Sequence, residues 1–515
     1  MDPRTARRAL AGAILAGLVV ELLLDRTALG VNVPMLTAAT LGLIALIGRR
    51  GPADPVDWWL PAVAILASLG PALRTDPTVV ALDVLLVLGG IAGWALAIGG
   101  VPVTRRTSEM VVLLFIDSIL AALVGAGMLA RRAGADGFLS EELQGFRRGT
   151  PVIRGLILAV PVVGLFTILL ASADAVFGRG LEDVLNQSIE LDQVAERGLF
   201  ALAAAWLVGG LLALTVGAYK VPAIDAPTDQ PTPAGWLPAD GPPPAAATGR
   251  RGATEALTIL GAVNVLFAIF AGVQVVYLFG GASTLAAIGM TYSDYARQGY
   301  FQLVAVTCFA GLLLVGAHLV VGRSRAFLVS SFVLVGLTGV ILASAAFRLR
   351  LYQEAYGWTE LRFYVAASIL WLAVGAGIGM VLVWRDRMRW LAHGLAASAV
   401  AITLGVSLIG SHAFVTRENL ARVLDPTLVA PGGRTGFDAS YALSLGDDAV
   451  PDLVAALDYL PPRERDQVLR DLEWRRTQLA TDVSSTGWAS WNLARERARE
   501  ALATLPGGSP HGPER

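Results

Sequence analysis

Long apolar blocks separated by short polar breaks run through four fifths of this chain. The blocks lie near residues 9–24, 31–47, 58–73, 79–99, 110–130, 155–172, 198–219, 254–278, 300–321, 326–347, 361–384 and 390–409, each bounded by arginines, prolines or acids. A helix that crosses the hydrocarbon core of a bilayer needs about 20 consecutive apolar residues, so the pattern predicts twelve candidate membrane helices. After about residue 412 the pattern changes to Arg, Asp and Glu with apolar residues at helical spacing, which predicts a small water-exposed helical domain. Asp447 and Asp448 precede a first helix from Ala449 to Leu460, and Pro461 with Pro462 ends it and starts a second, through about Ala480. A third, Trp488 to Leu505, brings Trp488, Trp491, Asn492 and Arg495 near one another. The predicted fold is all-α: a polytopic transmembrane bundle with a small C-terminal helical soluble domain.

The polar breaks predict the organisation. Residues 220–253 hold eight prolines among Gly, Ala and Thr, a composition that favours solvated, extended chain and reads as a linker. It separates membrane helices in 1–130 and a membrane segment at 131–219 from a five-helix membrane domain at 254–411. The soluble domain follows at 412–505, and 506–515 reads as a disordered tail. Cytoplasmic loops carry an excess of Lys and Arg. With 131–154 inside, the inside loops hold thirteen basic residues, from Arg131 to Arg389, and the outside loops six: Arg179, Arg197, Arg297, Arg348, Arg350 and Arg362. That puts the linker in the cytoplasm and the C-terminal domain outside the cell membrane. In the first half the pairs Arg7–Arg8, Arg49–Arg50, Arg105–Arg106 and Arg131–Arg132 all demand the inside, and parity fails by one span. Letting residues 110–130, with Asp117, Gly125 and Gly127, lie along the interface or re-enter without crossing repairs it and favours eleven spans over twelve.

Composition narrows the chemistry. The chain is 55% hydrophobic and only 16% charged, with a net charge of −1; an ordinary soluble domain carries roughly 25% charged residues. The bilayer is the expected partner, and nucleic acid, which needs clustered excess cation, is not. Arg4, Arg7 and Arg8 before an apolar run resemble a signal peptide, but no small-x-small cleavage site follows, so the expectation is an uncleaved first span. One cysteine, Cys308, and four histidines argue against a disulfide framework, a zinc site or haem, so no cofactor or metal is expected. The only lysine, Lys220, stands outside any P-loop, and no G-x-S-x-G elbow occurs. Glu21, Asp83 and Asp117 lie within apolar blocks; each belongs either to an ion path or to a contact near a span end or a neighbouring helix. Asn264 and Gln274 are expected to bond between helices.

The polar run Ser344 to Tyr364, SAAFRLRLYQEAYGWTELRFY, interrupts the apolar pattern most sharply. Arg348, Tyr352 and Tyr356 recur every four residues and share a helix face, and Arg350 and Glu354 form a second i,i+4 pair. This run, with Ala173 to Phe177 (ADAVF), Tyr277 to Gly281 (YLFGG), Tyr295 to Phe301 (YARQGYF), Gly446 to Pro451 (GDDAVP) and Trp491 to Leu493 (WNL), resembles a family of bacterial multi-pass membrane proteins, domain of unknown function 4173. The likeness runs from about Gly145 to Leu505 and implies no activity, because that family has none established.

The topology predicts that these polar motifs meet at one extracytoplasmic face. There Arg297, Arg348 and Arg362 would attract an anionic or carboxylate group, Tyr295, Tyr352 and Tyr356 would wall the pocket, and Asp174 and Glu354 would hold the arginines. Phe177, Tyr277 and Asp294 belong to the same candidate site, and Trp488 and Trp491 are candidates for contact with a partner protein. The alternative is that the tyrosines and arginines are interfacial anchors. Three functions follow: a non-enzymatic envelope protein that binds a ligand or partner, a transporter or channel using Asp83 or Asp117, and an envelope enzyme using Asp174, Asp294 or Glu354. The first is preferred, because no catalytic constellation is present.

Overall fold

The computed structural model describes residues 3–133, 193–219, 253–272 and 300–505, apart from residues 26, 49–53, 107, 254–255, 323, 430–432, 434–435 and 486 within those ranges. Among the described residues every regular element is a helix, and the chain is an all-α polytopic membrane protein. Seven of these helices are long and apolar enough to cross a membrane. The chain divides into two units: residues 1–72, 84–228 and 483–491 form the first, and 73–83, 229–482 and 492–515 the second.

In the first unit, helix α1 (Pro3–Leu24) packs against α2 (Asn32–Ile47), and the segment Pro55–Leu73 contains α3 (Trp59–Ser68). Helix α4 (Pro77–Ile98) starts in the second unit and continues into the first. Helices α5 (Ser108–Arg132) and α6 (Gln193–Thr215) complete a close packing with α1. Small residues make that approach possible, as they do between membrane helices generally. A methyl group at Gly125 would come within 2.8 Å of Gly210 O, and one at Gly17 within 2.2 Å of Ala201 O. Residues 110–130, expected along the interface, lie in the continuous helix α5, whose Leu113–Arg132 segment is by length and composition able to cross. Glu21 and Asp25 both face Arg197, at 3.6 and 2.7 Å, so Glu21 has the partner expected of an acid near a span end.

In the second unit, α7 (Ala256–Gly272) and α8 (Tyr300–Val321) precede α9 (Arg325–Tyr356), α10 (Glu360–Arg385) and α11 (Leu391–Ile409). Asn264 Nδ2 donates to Ser330 O of α9 at 2.9 Å, an interhelical bond as expected. Ser324 caps α9 and Thr359 caps α10, each accepting from a backbone N–H in the first turn. Only Gly357, Trp358 and Thr359 join the two helices, so they run antiparallel and in contact. On α10, Leu361, Leu370 and Trp384 are exposed, a surface suited to lipid.

The C-terminal helices are α12 (Ser411–Leu424), α13 (Ala439–Ser444), α14 (Val450–Ala456), α15 (Pro462–Thr481) and α16 (Leu493–Ala503). Fully buried Leu453, Val468, Leu472 and Ala498 share one core with Val79 of α4, Phe363 of α10 and Val406 of α11. The acidic start and the proline pair mark α14 and α15 where the sequence places them. The third helix starts later, at Leu493, because Asn492 caps it by accepting from Arg495 N at 3.0 Å; Trp488–Ser490 form a separate 3-10 turn.

Candidate functional site

Two features of the second unit flank the turn where α9 ends and α10 begins, one beside the end of α12 and one at its start. The first is a cleft of about 360 Å³ lined by Tyr352, Tyr356, Trp358, Arg362, Asn419, Arg422, Asp438 and Tyr441, among others. The rings of Tyr352 and Tyr356 lie 5.0 Å apart, as their four-residue spacing requires. The guanidinium of Arg362 sits 4.0 Å above the Tyr352 ring, a cation–π stack. Its Nη1 donates to Gly357 O and, at 3.4 Å, to Tyr356 O. Arg422 of α12 reaches the same helix end: Nη1 donates to Gln353 O at 2.9 Å and Glu354 O at 2.7 Å, and Nη2 to Ala355 O at 3.3 Å.

Gln353 O also accepts from Gly357 N at 2.8 Å; the other bonds satisfy carbonyls at a helix C-terminus, an end that also attracts cations. Two positive groups are thereby fixed beside one another. Burial, and after it the nearby Arg362, lowers the pKa of Arg422. Burial likewise raises that of Tyr441, whose hydroxyl oxygen accepts from Glu360 N at 2.7 Å. Asn419 braces the floor: Trp358 N donates to its Oδ1 at 2.7 Å and its Nδ2 donates to Trp358 O at 2.9 Å.

The second feature joins three helix starts. Asp76 caps α4 through Oδ1, which accepts from Thr78 N at 2.8 Å and Val79 N at 3.3 Å. Its Oδ2 accepts from Tyr364 Oη at 2.7 Å and from Ser411 Oγ. His412, in the first turn of α12, is buried, and its Nε2 lies 3.4 Å from Asp76 Oδ2 and 3.5 Å from Glu360 Oε2. Neither imidazole nitrogen makes a hydrogen bond. Thr78 Oγ1 donates to Glu360 Oε1 at 2.9 Å.

The strand of chain that delivers Asp76 is itself pinned. Arg74 donates to Ser407 O and Leu408 O at 2.9 and 2.6 Å, and its Nη1 lies 3.5 Å from Asp448 Oδ1. Asp448 Oδ2 accepts from both the N and Oγ1 of Thr75 at 2.7 Å. Asn492 Nδ2 donates to Arg74 O at 2.9 Å. The GDDAVP and WNL motifs thus act on the 73–76 turn.

Of the residues singled out in the sequence, Tyr352, Tyr356 and Arg362 come together in the cleft. Glu354 pairs instead with Arg350 at 2.8 Å on an exposed face, the i,i+4 bond that the spacing predicted. Arg348 is not among the residues lining the cleft. Asp174, Phe177, Tyr277, Asp294, Tyr295 and Arg297 lie outside the described residues. In the first unit, Trp488 and Trp491 are exposed, while the Trp491 carbonyl accepts from Val31 N at 3.0 Å. Sequence reasoning missed Arg422, Asn419 and Tyr441, and it missed Asp76, Glu360 and His412. Counting histidines and cysteines overlooks a site made mostly of carboxylates. Glu360 and Tyr364 did lie within the polar run that stood out.

Fold and site therefore define a polytopic membrane protein with a polar, partly buried cluster where membrane helices meet the C-terminal helices of the second unit. A family model described as Domain of unknown function (DUF4153) matches residues 62–456, and the chain belongs to that family. The likeness to family 4173 rests on the quoted motifs alone. The match begins early enough to include Asp76, which the motif likeness did not reach. No curated protein and no solved structure matches the chain.

Proposed function

We propose that this protein is a non-enzymatic envelope protein that binds an anionic ligand in the Arg362–Arg422 cleft, at the extracytoplasmic face of the cell membrane. The observation that supports it is the paired guanidinium groups, held on one helix end and walled by Tyr352, Tyr356 and Tyr441. The contacts of Arg362 Nη1 use neither Nε nor Nη2, which carry three further N–H donors suited to a carboxylate or phosphate. The excess of arginine in the opposite loops supports the sidedness. Signal transfer across the membrane has a physical route here, since the ligand would touch the end of α9 and the start of α10.

Thermal unfolding of the purified full-length protein in detergent, titrated with inorganic phosphate, glycerol phosphate and benzoate, tests this reading. A saturable rise in Tm with at least one of these anions is expected, weakened at least ten-fold in apparent affinity by Arg362→Gln. An equal response in that variant, or no saturable response from any of the three anions, would overturn it.

A further inference from the structure

We infer that Asp76, Glu360 and His412 form a binding site for a divalent first-row transition cation. Three separate observations meet at this point. The donor set comprises one imidazole nitrogen and two carboxylates, whose nearest atoms all lie within 4.8 Å of one another. The imidazole is buried, aims Nε2 at both carboxylates, and makes no hydrogen bond with either nitrogen. A buried polar group without a hydrogen-bond partner is uncommon and calls for a cause.

For Nε2, the spacing gives that cause. Bonds of about 2.0–2.1 Å to nitrogen and oxygen in tetrahedral geometry separate adjacent ligand atoms by about 3.3 Å. The 3.4 Å and 3.5 Å separations from Nε2 to the two carboxylate oxygens fit two edges of such a tetrahedron. Imidazole favours zinc, copper, nickel or iron over magnesium or calcium, and the carboxylates also admit manganese, the weakest binder of the first-row series. Three protein ligands also match sites that keep a fourth position for water or another molecule, unlike closed four-ligand structural sites.

The surroundings can adapt to a cation. Asp76 Oδ2 now accepts from two hydroxyls, and a metal would take the place of one. Ser411 Oγ lies 3.3 Å from Tyr364 Oη and can turn to that partner. The Thr78 and Tyr364 hydroxyls would remain as the outer contacts that orient carboxylate ligands. Each ligand stands at the start of a different helix, so an ion would clasp α4, α10 and α12 together.

The test is equilibrium dialysis of chelator-treated, full-length protein against ZnCl2, with MnCl2 and MgCl2 in parallel and metal counted by mass spectrometry. One zinc per chain is expected, bound more tightly than manganese and far more tightly than magnesium. His412→Gln and Glu360→Gln should each weaken zinc binding at least ten-fold, and Glu354→Gln should leave it unchanged. Glu360 is partly exposed, so its variant keeps the test informative should the His412 change unfold the protein. Zinc should raise Tm of the wild type and of Glu354→Gln alike, and that of the two ligand variants much less at the same zinc concentration. Zinc bound equally well by both ligand variants, or bound by neither they nor the wild type, would overturn the assignment. Phosphate and benzoate titrations of the cleft read out separately from this result.

Discussion

A single buried carboxylate shows how this chain handles charge among its apolar helices. Asp83 lies on α4 with no exposed surface, and Ser407 Oγ of α11 stands 2.9 and 2.8 Å from its two oxygens. The sequence left open whether Asp83 belongs to an ion path or faces a neighbouring helix, and the serine supplies the second answer without need of the first. Removing one member of a buried polar pair strands the other, at a cost of about 1–3 kcal/mol, whereas replacing both is far milder. Ser407→Ala should therefore lower Tm, and the double variant Asp83→Ala with Ser407→Ala should recover most of the loss. Tryptophan fluorescence during heating in detergent checks this. A double variant no more stable than Ser407→Ala would show that Asp83 is held for some other purpose.

At the scale of elements, the α9–α10 hairpin positions the whole cluster, and its turn depends on one glycine. Gly357 has φ +79° and ψ −178°, and a methyl group there would come within 2.6 Å of Asn419 Oδ1. That backbone region is nearly closed to other residues and costs about 1–3 kcal/mol. Gly357→Ala should destabilise the protein by about that amount and shift Trp358, while Gly336→Ala, with open space around it inside α9, should be neutral or gain up to about 1 kcal/mol. Paired thermal melts distinguish the two; equal Tm values would mean that the turn tolerates a side chain.

Elements of this kind were legible in the sequence because their causes are local. Apolar length marked the seven described helices able to cross a membrane, the proline pair marked α15, and four-residue spacing gave both the Arg350–Glu354 bond and the Tyr352–Tyr356 stack. The Asp76–Glu360–His412 cluster was not legible, since its members come from three distant helix starts and none has a ligand-spaced companion nearby. Arg422 was hidden for the same reason: only the packing of α12 against the end of α9 gives it the open carbonyls there. The late start of α16 depends on the Asn492 cap, which a hydrophobic count from Trp488 does not register.

For the whole molecule, the decisive quantity is sidedness, because a cleft that collects anions and a site that collects cations each meet different solutions on the two sides of a membrane. The arginine count predicts that the α9–α10 turn and the C-terminal helices lie outside and the arginines that follow α10 inside. Accessible positions exist at both ends: Glu354 is partly exposed near the cleft, Tyr459 is exposed on the C-terminal helices, and Arg387 is exposed beyond the far end of α10. In a Cys308→Ala background, Glu354→Cys and Tyr459→Cys should react in intact cells with a thiol reagent that cannot cross membranes, and Arg387→Cys only after permeabilisation. The reverse pattern would turn the protein over in the membrane. The cleft would then sample cytoplasmic anions, the cation site would face a compartment where free zinc is kept scarce, and the envelope reading would fail while both binding sites stood.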